Sequence, residues 1–162
     1  MQQSEIRTSW AASSPRLLSV LRIVAAFIFI QEGAAKLFAF PTPLMPGGSA
    51  FPLFSRLGIA GGLEFIGGVL MLVGLWTRPV AFLLAGEMAI AYFTAHAPNS
   101  FWIVANQGMA AVIFCFVWLY FSAAGGGPWS LDAAISKMRI KRWFNLWSMQ
   151  PSHSGEPALQ QR

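Results

Sequence analysis

The sequence predicts an all-α membrane protein: a four-transmembrane-helix bundle followed by a C-terminal amphipathic helix at the membrane interface. Three observations carry that expectation. The 162 residues are 56% hydrophobic and only 10% charged, against about a quarter charged in soluble domains, so most of the surface must face something other than water. Four apolar segments reach the ~20 residues needed to cross a hydrocarbon core ~30 Å thick. Eleven Lys and Arg face six Asp and Glu, and the basic residues gather on one side of the spans, as membrane topology requires.

The four spans are expected at residues 17–40, 57–76, 80–97 and 102–123. Each break has a mechanism. Pro41, Pro43, Pro46, Gly47, Gly48 and Pro52 cannot continue a helix, while Thr77-Arg78-Pro79 and Pro98-Asn99-Ser100 read as tight turns. Gly125-Gly126-Gly127-Pro128 ends the fourth span. The first span is preceded by a long polar arm and contains Arg22. No small-x-small cleavage site follows it before Glu32 and Lys36, so it is expected to be retained and not cut as a signal peptide. The chain therefore divides into an N-terminal arm (1–16), a membrane domain (17–132) and a basic segment with a disordered tail (133–162).

Four crossings put both termini on one side. That side, with the middle turn, carries Arg7, Arg16, Arg78, Lys137, Arg139, Lys141 and Arg142; the opposite loops carry Arg56, with Lys36 near a helix end. Both termini are expected in the cytoplasm of a multi-pass inner-membrane protein. Ser130 is expected to N-cap the segment that follows. There, Asp132 is succeeded by four basic residues interleaved with Met138, Ile140, Trp143, Phe144 and Trp147. Such a composition suits a helix lying on an anionic leaflet, or a basic tail that only enforces topology.

Fourteen Phe and seven Trp demand burial and exclude disorder of the whole chain. The basic excess is explained by the bilayer, so no nucleic-acid partner is expected. A single cysteine, Cys115, excludes a disulfide within one chain, a Cys-x-x-Cys pair and a multi-cysteine zinc site. Among Phe114, Phe116 and Trp118 it reads as a small core residue. No phosphate-binding loop, dinucleotide fingerprint, Ser-His-Asp arrangement or metal-ligand set is visible, and no intrinsic cofactor is expected.

The chemistry must lie in the polar residues within the spans, each of which costs at least ~2.5–3.5 kcal/mol to insert and so faces the bundle interior. The candidates are Arg22, Glu32, Lys36, Glu64, Glu87, Asn106 and Gln107. On the first span Arg22, Glu32 and Lys36 fall within roughly an 80° stripe, and Glu32 with Lys36 forms a favourable i,i+4 pair. Counting ~1.5 Å per residue from the cytoplasmic end suggests two layers. The outer one holds Glu32, Lys36, Glu64, Asn106 and Gln107, and the inner one pairs Arg22 with Glu87. Ala60, Gly61, Gly67, Gly68 and Met71 share a side with Glu64, so small residues should hold Glu64 in a packed interface. His96 is expected on the helix face opposite Glu87. Three acids against Arg22 and Lys36 leave one carboxylate in excess, unless Arg56 reaches in. Either the charges only dock the helices, or they line a polar cavity for a proton or a small ligand.

Several strings resemble the DoxX-like membrane proteins of bacteria and archaea: Leu21-Arg22 followed by Phe29, Gly33 and Lys36-Leu37; Gly62-Leu63-Glu64-Phe65-Ile66-Gly67-Gly68; and Gly125-Gly126-Gly127-Pro128-Trp129-Ser130-Leu131-Asp132. The likeness extends over residues 17–132, with the last string the most specific. The start of the fourth span departs from it, reading Asn106-Gln107-Gly108 where relatives often read Asn-Gly. The resemblance implies a four-helix plasma-membrane protein, acting as an accessory or quinone-contacting subunit of a membrane oxidoreductase assembly. Quinone is then the implied cofactor, redox subunits are the implied partners, and self-association is open. A small proton-coupled transporter and a membrane scaffold are the alternatives left by the residues themselves.

Overall fold

A computed structural model describes residues 2–148, with side chains described for 13–141. The tail from 151 to 162, expected to be disordered, and His153 within it lie outside the described residues. Five α-helices follow one another: α1 (Gln2–Phe38), α2 (Arg56–Val73), α3 (Thr77–Ala91), α4 (Met109–Ala124) and α5 (Leu131–Ser148). A π-helical turn (Tyr92–His96) and a 3-10 turn (Ala97–Asn99) prolong α3. No strand occurs among the described residues.

Three helices are long and apolar enough to cross a membrane: Ser13–Phe38, Arg56–Val73 and Thr77–Asn99. The fourth differs from expectation. Its helix starts at Met109, seven residues later than residue 102, and has 16 residues. At ~1.5 Å per residue it rises ~24 Å, less than the hydrocarbon thickness. The missing depth is filled by a turn in which the amides of Ala105 and Asn106 both donate to the Trp102 carbonyl at 3.0 Å. Non-helical backbone at such depth must be satisfied internally. Asn106 does this: its side-chain amide donates to the Ser100 carbonyl at 2.9 Å and its carbonyl oxygen accepts from the Gly108 amide at 2.8 Å.

The helices pack as two antiparallel pairs, α1 on α2 and α3 on α4, with α2 also touching α3. The first pairing depends on Gly33. A Cβ there would stand 2.5 Å from the Phe65 amide nitrogen and 2.7 Å from the Gly61 carbonyl, so only glycine lets the two backbones approach. Gly61, Gly67, Gly68 and Met71 are buried on the same face as Glu64, as the small-residue spacing predicts.

The pairs meet around Ala26, Phe29, Met71, Leu84, Trp118 and Phe121. Phe29 sits 5.1 Å from both the Phe114 and Trp118 rings, edge-on to the latter, a favourable aromatic arrangement. Leucine, isoleucine and phenylalanine side chains on the outer faces of the helices remain exposed, as lipid-facing residues do.

Candidate functional site

The polar residues of the spans divide into a knot at one end and a cavity toward the other. At the knot, fully buried Arg22 hydrogen-bonds only to carbonyls: its guanidinium donates to Gly126 at 2.9 Å, to Leu72 at 2.7 Å, to Trp129 at 2.9 Å and to Met71. Met71 and Leu72 lie in the last turn of α2, where carbonyls lack i+4 helical partners, although that of Met71 also accepts from the Gly74 amide at 3.2 Å. Gly74, at φ 71°, ends that helix in the left-handed conformation that glycine adopts without strain. The Trp129 amide donates to the Ser19 hydroxyl at 3.2 Å, so α1 grips the α4–α5 link twice.

Asp132 closes the knot from the other side. Its carboxylate accepts from the amides of Trp76 at 2.9 Å and Thr77 at 2.8 Å, capping α3. Its own amide donates to the Gly74 carbonyl at 3.0 Å. Burial pushes the Asp132 carboxyl up, but hydrogen bonds from Thr77 and Trp76, with the Arg22 charge, outweigh it and hold the group below the ordinary carboxylate range. Ser130 caps α5 as the sequence predicts, accepting from the Ala133 amide at 3.2 Å.

This arrangement corrects the expected inner pair. Arg22 does not meet Glu87, because its donors are taken by backbone carbonyls. Sequence reasoning had no means of seeing those acceptors, and it left Ser19, Thr77 and Asp132 out of the polar network.

The other end holds a cavity of about 800 Å³. Glu32 and Lys36 from α1, Arg56 and Glu64 from α2, Glu87 from α3, and His96 and Gln107 line it, with aromatic faces from Phe29, Phe51 and Phe114. Five of the seven expected residues are thus brought together; Arg22 belongs to the knot, and Asn106 is committed to the turn before α4. The Lys36 ammonium bridges both carboxylate oxygens of Glu64, with side-chain exposures of 15% and 4%. The bond across helices therefore takes Lys36 in place of the i,i+4 pairing with Glu32, which stays exposed at the cavity edge.

Both carboxylate oxygens of Glu87 are buried and have no hydrogen-bond partner. A buried polar group without a partner is costly, which sets Glu87 apart from Glu64 on the same cavity. His96 also faces this cavity, contrary to the expectation that it points away from Glu87. The wider π turn between them shifts the helical phase, which a uniform 100° count cannot anticipate. Its Nδ1 lies 3.1 Å from the Asn106 carbonyl. Among the described residues no group of three or more His, Cys, Asp or Glu is placed to hold a metal ion.

The sequence profile of the DoxX family matches residues 17–97 of this chain, half its length. The chain belongs to the DoxX family. A protein of Haemophilus influenzae described only as uncharacterized is 41% identical over 126 residues, covering 76% of this chain and 93% of its own length. An uncharacterized membrane protein of Mycobacterium tuberculosis is 29% identical over 159 residues, covering 82% of this chain and 94% of its own. No solved structure matches. The DoxX match includes the Gly33 crossing, the Lys36–Glu64 bridge and Glu87. It ends before the string at 125–132, whose part in this member of the family is structural: it supplies two carbonyls to Arg22 and the cap of α3.

Proposed function

We propose that this DoxX-family membrane protein is an accessory subunit whose cavity contacts a quinone in a membrane oxidoreductase assembly. The observation that supports the reading is the cavity itself, mostly apolar in lining, about 800 Å³ in volume, with a buried, unpartnered carboxyl on its wall. Small-molecule sites have this character: apolar walls and a few polar groups that fix orientation. The residues suit a quinone head, since Phe29, Phe51 and Phe114 offer ring faces and Lys36, Glu87 and Gln107 offer polar groups. A bound quinone would supply electron transfer; this chain's residues would bind and orient it while partner subunits provide the other redox centre. The reading also assigns the chain to the plasma membrane with both termini in the cytoplasm, on the strength of its basic asymmetry.

Purification in mild detergent, followed by solvent extraction and crosslinking in cells, tests it. The expected result is a quinone in near-stoichiometric amount, lost when Ala91→Phe fills the cavity, together with a redox partner. Repeated recovery of quinone-free protein with no crosslinked partner overturns the proposal.

A second reading, a proton-coupled carrier, is favoured by Glu87 standing on the same cavity as the Lys36–Glu64 bridge. It requires Glu64→Gln and Glu87→Gln to abolish solute or proton flux in proteoliposomes, and unchanged fluxes across a broad solute panel would remove it.

A further inference from the structure

The cavity is closed at one end by the way the helices are tied. Its deepest lining residues are Phe29, Glu64, Glu87 and Phe114. About one to two turns further toward the knot, Ala26, Met71, Leu84, Trp118 and Phe121 are each 0% exposed and form the continuous core. Interiors of this kind are close-packed, with no path for a solute. Beneath that layer Arg22 ties α1 to the end of α2 and to the α4–α5 link, while Asp132, in the first turn of α5, ties that helix to the start of α3. All four helices are therefore fastened together at this end.

Among the described residues nothing comparable fastens all four helices at the other end. Phe51, Pro52, Ser55 and Arg56, from the segment before α2 and its first turn, form one rim. Ala95, His96 and Gln107, from the π turn and the irregular stretch before α4, form the other. Arg56, Ala95 and Gln107 are exposed, and Ser55, Arg56, His96 and Gln107 give this rim its polar groups, while the floor is apolar apart from the acids.

We propose that the cavity is a one-sided vestibule, loaded with a small amphipathic molecule from the aqueous face opposite the termini and sealed from the face that carries them. This rests on the reading of the cavity as the ligand site, and it adds the direction of access. The polar end of the occupant meets Glu87 near the closed floor, and its apolar body lies against Phe29, Phe51 and Phe114. A one-sided vestibule suits a binding subunit. A carrier must expose its site to both faces, which here requires the knot to open.

Cysteine accessibility in the full-length chain tests the proposal without a known ligand. In a Cys115→Ala background, Ala95→Cys probes the rim, Ala60→Cys the wall and Ser136→Cys, on exposed α5, the opposite face. Each variant is treated with a membrane-impermeant thiosulfonate in right-side-out and in inside-out vesicles, and with membrane-permeant N-ethylmaleimide in parallel. The expected result is that Ala95→Cys and Ala60→Cys are modified from one face only, and Ser136→Cys from the other only. Modification of Ala60→Cys from both faces overturns one-sidedness and favours the carrier. If only N-ethylmaleimide modifies it, the cavity opens to lipid and not to water, and the proposal fails. Failure of both reagents at Ala60→Cys, with Ala95→Cys and Ser136→Cys reacting in the same membranes, shows a closed bundle and equally overturns it. None of these outcomes depends on whether the occupant is a quinone, so the two proposals stand or fall separately.

Discussion

Lys36 and Glu64 form a buried pair whose worth lies in mutual compensation. Removing one partner leaves an uncompensated charge in the bundle, which costs about 3–5 kcal/mol, whereas removing both is far milder. Lys36→Met and Glu64→Gln should each lower the thermal unfolding midpoint in detergent, and the double variant should recover much of the loss; strict additivity would show that the bridge does not form. Arg22 and Glu87 should behave oppositely. They share no hydrogen bond or ion pair, so Arg22→Met and Glu87→Gln are expected to add within about 0.5 kcal/mol, as independent sites do. A coupling well beyond that, in the same unfolding measurement, would return the two to a common layer. The sequence made these residues conspicuous because each is a charge within an apolar span. Their pairing was not legible. Choosing between Glu32 and Glu64 for Lys36 depends on the rotation and approach of two helices, set by Gly33 against Gly61 and Phe65. The partners of Arg22 are carbonyls, which every residue carries and no sequence pattern marks.

At the scale of elements, the apolar runs and the Pro and Gly breaks located α2, α3 and the end of α1 to within a few residues, and Ser130 marked the start of α5, but α1 begins at Gln2, fifteen residues before the expected span, because the polar arm continues the helix. The fourth helix misled because Trp102, Ile103 and Val104 are as apolar as the helix that follows. Hydropathy measures compatibility with lipid and does not say whether the backbone there is coiled; the decisive residue was Asn106, whose side chain satisfies a turn. The joint between α3 and α5 is equally invisible in composition and has a pH signature. Because the Asp132 carboxyl is held below its usual range in the folded state, its contribution to stability is complete above the unfolded value. It is lost as pH falls through the folded one. Wild type is therefore expected to exceed Asp132→Asn in unfolding midpoint at neutral pH, and the difference should shrink below about pH 4, near the reference carboxylate range. A difference that stays constant from pH 7 to pH 3 would mean that charge at Asp132 plays no part in fastening the helices.

For the whole molecule, the two ends of the bundle are chemically unlike, and that asymmetry makes orientation testable. The knot end is rigidly tied and carries exposed Arg16, Arg78, Lys137, Arg139 and Lys141. The cavity end has Arg56 at its rim and Lys36 already bound to Glu64. Basic residues near span ends resist translocation, and their excess sets orientation; here the excess lies wholly at the end where fold and topology bring α1, α2, α3 and α5 together. The same end would face the anionic leaflet, which attracts juxtamembrane Lys and Arg by about 1 kcal/mol each near the surface. The cavity would then open away from the cytoplasm. A green fluorescent protein fused after residue 162 should fluoresce, and alkaline phosphatase inserted between Gly47 and Gly48 should be active, since the first folds on the cytoplasmic side and the second only beyond it. The reverse pair of signals would invert the molecule and open the vestibule to the cytoplasm. Activity of both reporters at the same site would mean that the short fourth helix does not fix its crossing. Substituting Arg78, Lys137, Arg139 and Lys141 together by Gln should weaken the preference and yield a mixed population, because these residues supply most of the described basic charge at the knot end.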